Sequence, residues 1–156
     1  DDNSDEVYKL KLLMNQAKIT PEMRSVVGPC LKRAEELSCP AAALELDDGR
    51  IVTGKTSDLL GASAAVLLNA IKVLGDIPDD VHLIAPRLHT DEVLIALSMS
   101  AATDETAKKA LAQLPKLRGC QVHTSVMLSN VDIKTFKKLG VQLTSEPVYE
   151  HNKLYH

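Results

Sequence analysis

The chain is 156 residues long, 45% hydrophobic and 25% charged, with a formal net charge of -3 at neutral pH. Such a chain is long enough to bury a core of its own as one soluble globular domain, and it carries no basic field for nucleic-acid phosphates or anionic lipid. Aromatic residues make up only 3%, with Phe136, three tyrosines and no tryptophan. The core is therefore expected from Leu, Val, Ile and Ala, without a stacking platform for bases.

The cysteines Cys30, Cys39 and Cys120 are odd in number and scattered, which suits reduced thiols in a cytoplasmic protein better than a disulfide framework. The longest near-apolar run, Leu59 to Leu74, is broken by Ser63, Asn69 and Lys72, so no membrane-spanning helix is expected. The chain starts at Asp1 without a Met and reads as a fragment of something larger.

In chain order, Val7, Leu10, Leu13 and Met14 behind Ser4 predict a leading helix over residues 1–18. A second helix starts with Thr20 as cap and Pro21 at the first helical position, carries the stripe Val26, Val27, Cys30, Leu31 and Ala34, and is stopped by Pro40. Ala41 to Leu46 and Ile51 to Thr53 flank Asp47-Asp48-Gly49-Arg50, the pattern of a β-hairpin. Asp58 to about Leu74 is apolar nearly all round and predicts a helix buried against the middle of a sheet. Val81 to Ala85 is expected as a strand, Thr90 caps the next helix, and Thr103-Asp104-Glu105 opens one ending near Gly119. A strand over Val122 to Leu128, a helix from Asp132 to Leu139 closed by Gly140, and a strand over Val141 to Thr144 complete the order. The expected domain spans all 156 residues and is a three-layer α/β/α fold with a mixed sheet, a hairpin followed by parallel strands.

That order is similar to the cytidine-deaminase-like fold, but the zinc chemistry of such enzymes needs a His or Cys two residues before a Glu and a later Pro-Cys-x-x-Cys. The corresponding positions read Leu60-Gly61-Ala62-Ser63 and Pro86-Arg87-Leu88-His89, so neither motif exists. With no His-Glu-x-x-His either, no metal and no cofactor is expected. Cys120 and His123 have half of a zinc-site spacing; on a strand, residues three apart point to opposite faces, so a core Cys and an ordinary His are expected.

The stretch Gly49 to Ser57, GRIVTGKTS, satisfies the written pattern of a phosphate-binding P-loop. A P-loop wraps an open loop around phosphate, whereas Arg50-Ile51-Val52-Thr53 follows an Asp-Gly turn and is β-branched. It reads as a strand that carries Gly49 away from Lys55. What remains is a helix-starting corner: Gly54 ends the strand, Thr56 or Ser57 caps the buried helix, and Lys55, Thr56 and Ser57 are expected to hold a small anion.

Ser129 and Asn130 close the next strand at the same predicted edge and join the ligand-binding candidates. His89 and Asp91 sit where a strand has ended and a helix begins, and they are the candidates for acid-base catalysis. Ser63 lies inside the buried helix and is expected to bond a backbone carbonyl.

The strings VYKLKLLMNQAKITPEMRSVVGPCLKRAEE, LDDGRIVTGKTSDLLGASAAVLLNAIK, RLHTDEVLIALSMSAAT, PKLRGCQVHTSVMLS and the terminal KLYH resemble the C-terminal part of a bacterial family, domain of unknown function 1846. The resemblance implies a larger parent protein whose N-terminal portion has its own Gly-Pro-Gly-Ser-Gly-Lys segment. It also implies a further stretch between Pro86 and Arg87, either deleted here or bridged by the numbering. The expected role is a small-anion or nucleotide-metabolite binding or assembly module. The alternative is a hydrolase or transferase whose active site the N-terminal portion completes. Expected partners are a small anionic ligand, that N-terminal portion and a second copy through the N-terminal apolar stripes, with no nucleic acid and no membrane.

Overall fold

A computed structural model describes residues 24–57, 61–85 and 89–147. The leading helix of 1–18 and the cap Thr20-Pro21 lie outside the described residues. Helix α1 is Val27–Leu37. Its chain turns at Ser38 in the left-handed region, where the Cys39 N–H donates to the Ala34 carbonyl, and Pro40 leads into the sheet.

The hairpin forms as the sequence expects. Strands β1 (Ala41–Glu45) and β2 (Ile51–Lys55) pair antiparallel, with Ala41 opposite Lys55 and Glu45 opposite Ile51. Gly49 takes φ +91 at the tip, a conformation that an L side chain resists, and Asp48 accepts the Arg50 N–H at 3.0 Å. Gly49 and Lys55 therefore stand at opposite ends of one strand. Gly54 lies within β2 rather than ending it, opposite Ala42. A Cβ there would come within 2.3 Å of the Val66 backbone nitrogen, so a helix can reach the strand only because this residue is glycine.

That helix is α2, Ala62–Leu74, shorter at its start than the Asp58 expected; residues 58–60 lie outside the described part. It packs on the β1–β2 hairpin, and Ala64, Val66, Leu67, Ala70 and Ile71 are fully buried. Burial of a Leu or Ile side chain is worth about 1.5–3 kcal/mol, and this seam joins Ala42, Leu44 and Val52 in the main core. On the other face, α1 places Val26 and Cys30 against Ala43 and Ile51.

Val81 to Ala85 is not a strand. The place beside β1 is taken instead by β3, Gln121–Thr124, antiparallel to β1, and β4 (Gln142–Ser145) runs parallel to β3, so the order is β2-β1-β3-β4. The result is an α/β fold with a four-stranded mixed sheet and, among the described residues, five α-helices. These strands do not establish the cytidine-deaminase-like arrangement.

Helix α3 is Thr90–Ser100 and α4 is Glu105–Leu111, capped by Asp104. The expected continuation to Gly119 breaks after Leu111 into a 3-10 turn at Leu114–Leu117 containing Pro115, because proline lacks the N–H that an α-helix needs. Helix α5, Asn130–Leu139, closes at Gly140. β3 is shorter than the expected strand to Leu128: Thr124 Oγ1 donates to the Val126 carbonyl at 2.7 Å in a local turn, and at Ser125 the side-chain Oγ accepts the Ala41 N–H at 2.9 Å. Ser125 still bonds β1, its N–H donating to the Ala41 carbonyl at 2.9 Å, and the ladder ends there.

Candidate functional site

The starts of three helices converge where the chain leaves the sheet. Gly61 precedes α2, His89 is the N-cap of α3, and Ser129 is the N-cap of α5. Between them lies a cleft of about 290 Å³, lined by Thr56, Gly61, Ala62, Ser63, His89, Val126, Met127, Leu128, Ser129 and Asp132.

Its floor is Asp132, in the first turn of α5 and 5% exposed. Oδ1 accepts the Thr90 backbone N–H at 2.8 Å and the Thr90 hydroxyl at 2.7 Å; Oδ2 accepts the Ser63 hydroxyl at 2.9 Å. One carboxylate thus ties α5 to the first turns of α3 and α2. Three donors compensate the burial of a charged group, which would otherwise be costly. Asp132 also serves as the anion that a helix start attracts, so the N-terminus of α3 is already neutralised from within the protein. Above it, His89 Nδ1 lies 3.8 Å from Asp132 Oδ2, with the imidazole 47% exposed, and Glu92 reaches back to the His89 N–H at 3.3 Å.

Two hydroxyls complete the rim. Thr56 Oγ1 accepts the Ala62 N–H at 3.1 Å, and Ser129 Oγ accepts the Asp132 N–H at 3.3 Å. Each oxygen is used as an acceptor, which leaves its own O–H hydrogen to donate into the cleft.

Of the residues expected at the site, Thr56, His89 and Ser129 are brought together. Lys55 is the exposed last residue of β2, and Ser57 and Asn130 are exposed; none of the three lines the cleft. Asp91 is half-buried in the first turn of α3 and does not line it either. Thr90 is not the cap expected of it: it is the first helical residue, fully buried, with its hydroxyl committed to Asp132. Ser63 bonds the same carboxylate rather than a backbone carbonyl. Thr56 does cap α2, but across six residues rather than as its N-cap.

Asp132 is the residue that sequence reasoning missed. Ser129-Asn130-Val131-Asp132 has the spacing of a capping box, a signal for where α5 starts. That its acid turns inward to two other helices is not written in those four letters.

A second polar cluster lies on the α1 face. His123 is 4% exposed; its Nδ1 meets Thr144 Oγ1 at 2.7 Å and its Nε2 meets Glu146 Oε2 at 2.8 Å. Arg24 donates to the Thr144 hydroxyl, to Gln121 Oε1 at 3.3 Å and to the Gln142 carbonyl at 3.2 Å. Burial holds the imidazole below its ordinary pKa, against the pull of Glu146. Burial, with Glu146 nearby, pushes the Cys30 thiol up to about 12, and burial, with Asp47 beside it, pushes Cys120 up to about 11. Cys120 Sγ lies 3.6 Å from Asp47 Oδ1, so it and His123 serve separate clusters. Among the described residues no group of three or more His, Cys, Asp and Glu is placed to hold a metal ion, and no helix is long and apolar enough to cross a membrane.

Comparison with known proteins places the chain. The model of the family described as domain of unknown function DUF1846, C-terminal, matches residues 22–87 and 85–155. A UPF0371 protein of Corynebacterium diphtheriae is 47% identical over 172 residues, covering 98% of this chain and 35% of its own length. A UPF0371 protein of Corynebacterium glutamicum is 48% identical over 94% of this chain and 34% of its own. One from Streptococcus pyogenes serotype M5 is 43% identical over 96% and 34%. This chain spans about a third of the length of these relatives, and it belongs to the DUF1846 family as its C-terminal domain.

Proposed function

We propose that this domain is a ligand-binding module of a larger protein, holding a small polar metabolite in the cleft above Asp132. The observation that carries the reading is the pair of hydroxyls, Thr56 and Ser129, whose oxygens accept helix-start N–H groups and whose hydrogens are left for a ligand. A volume of about 290 Å³ is at the low end for small-molecule sites, which favours a compact ligand over a whole nucleotide.

The small anion expected from sequence is less well served. Lys55 does not line the cleft, and among the described lining residues there is no Lys or Arg, while Asp132 supplies a carboxylate. The geometry therefore favours a neutral ligand with acceptor oxygens towards Thr56 and Ser129 and an apolar part along Val126 to Leu128. The N-terminal portion of the longer relatives is the proposed partner that completes the site, and the three free thiols of this domain support a reducing compartment such as the cytoplasm as the proposed location. With neither zinc motif in the sequence, the reading takes no chemistry from a deaminase-like likeness.

The test is a titration of the 156-residue chain with N-methylacetamide, ribose and inorganic phosphate, followed by amide NMR. A neutral probe is expected to move the amides of Thr56, Ser129 and Asp132. If phosphate alone moves them, together with Lys55, the anion reading replaces this one. If no probe moves them, both readings fail.

A further inference from the structure

Taking the cleft as a ligand site, the hydrogen bonds already made along its floor set what a ligand must bring. His89 is the N-cap of α3, and its side chain accepts the Glu92 backbone N–H. Nδ1 is the ring atom that takes the place of an Asp or Asn side-chain oxygen, the usual acceptor at an N-cap, so Nδ1 is the acceptor. A nitrogen that accepts carries no proton, which leaves the neutral ring protonated at Nε2. The same tautomer accounts for the 3.8 Å between Nδ1 and Asp132 Oδ2: neither atom has a proton to share, and the gap is too long for a bond. With Nδ1 turned to the start of α3, the Nε2–H lies on the opposite edge of a half-exposed ring that lines the cleft.

Asp132 supplies the complement. A carboxylate has about four lone-pair sites; Oδ1 accepts the Thr90 N–H and hydroxyl, and Oδ2 accepts the Ser63 hydroxyl. Among the described residues the second site of Oδ2 is unused, and Asp132 lines the cleft. An ionised acceptor with a site to spare makes a strong bond to an N–H brought to it. This wall therefore presents one charged acceptor beside three donors, the His89 Nε2–H and the hydroxyls of Thr56 and Ser129.

We propose that His89 and Asp132 together select a ligand that carries a carbonyl oxygen and an N–H on one edge, a lactam or a primary carboxamide. His89 Nε2–H donates to the carbonyl oxygen and Asp132 Oδ2 accepts the N–H. The Thr56 and Ser129 hydroxyls are left for the second lone pair of the carbonyl and for further oxygens. The selection follows from proximity, since the two side chains approach within 3.8 Å and meet the ligand from the same side. An open-chain secondary amide holds its C=O and N–H on opposite sides and engages only one of them. A lactone has no N–H and sets an oxygen lone pair against the carboxylate.

The experiment titrates the 156-residue chain with 2-pyrrolidinone, γ-butyrolactone, N-methylacetamide and ribose, following the amides of Thr56 and Ser129 by NMR. Pyrrolidinone is expected to bind roughly tenfold more tightly than butyrolactone, the effect of one hydrogen bond to a charged group. His89→Ser keeps an oxygen at the N-cap and removes the Nε2–H; it is expected to weaken pyrrolidinone about fivefold and to leave the preference over butyrolactone in place. Ring-nitrogen NMR at pH 8 should show His89 protonated at Nε2, with that nitrogen shifting as pyrrolidinone is added.

An Nδ1-protonated His89, or equal pyrrolidinone affinity in wild type and His89→Ser, overturns the part of His89. Equal affinity of the wild type for pyrrolidinone and butyrolactone overturns the part of Asp132. If ribose or N-methylacetamide moves the Thr56 and Ser129 amides while pyrrolidinone does not, the ligand site stands and this selectivity falls; if no probe moves them, both fall.

Discussion

Two histidine–carboxylate pairs occupy opposite faces of one sheet with their burial inverted. In the pair on the α2 face the acid is buried and the imidazole half-exposed, 3.8 Å apart, with Asp132 at 7% side-chain exposure and His89 at 47%. In the pair on the α1 face the imidazole is buried and the acid partly exposed, in contact at 2.8 Å, with His123 at 5% and Glu146 at 35%. A buried acid with three donors is fixed, while its histidine stays half-exposed to solvent. A buried histidine with both nitrogens engaged is fully satisfied and has nothing to offer one. The chemistry is the same; the two pairs differ in which partner faces water.

The sharpest way to break this contrast is Asp132→Ala. It orphans the Thr90 N–H and hydroxyl and the Ser63 hydroxyl, and is expected to cost about 3 kcal/mol, seen as a lower urea midpoint at constant m. A loss below about 1 kcal/mol would mean that the carboxylate does not tie the three helices. His123→Ala should cost about 2 kcal/mol through two lost bonds and a cavity, while leaving the cleft amides unmoved in NMR spectra.

Acid should separate the pairs next. The folded-state pKa of His123 lies below the ordinary 6.5, so the unfolded chain binds the proton first. Stability is therefore expected to fall as pH drops below 6.5, until the lowered folded value is passed. His123→Gln should flatten that slope between about pH 7 and 5.5, above the range where carboxylates titrate; an unchanged slope would assign it elsewhere. The smallest stability effect belongs to His89→Ala, within about 0.5 kcal/mol because the ring is half-exposed. A loss comparable to that of His123→Ala would make both pairs structural.

Local chemistry was legible where neighbours in sequence are neighbours in space. The Asp-Gly turn and its flanking runs gave the β1–β2 hairpin, and that hairpin removed the P-loop reading of GRIVTGKTS without any tertiary information. The helix over Ala62–Leu74 followed from its apolar surround, and Pro115 explains why the helix after Glu105 stops early. Val81 to Ala85 misled because a short apolar run states burial, not the ladder it must join; β3, from forty residues later, holds that position beside β1. That Thr56, His89 and Ser129 share one corner was legible because residues beside helix starts are few and chemically marked. Lys55, Ser57, Asn130 and Asp91 were chosen by the same logic and do not line the cleft. Adjacency in sequence says which corner a residue occupies, not which way its side chain turns.

The amino-acid order alone determined the α/β class, the hairpin, the absence of the zinc motifs and the corner at which a ligand would be sought, since each depends on propensities and spacings a few residues long. Only the tertiary structure decided that Asp132 belongs to that corner. Its three donors come from Ser63 and Thr90, 69 and 42 residues away, and a carboxyl in a helical first turn looks the same in sequence whether it faces water or two other helices.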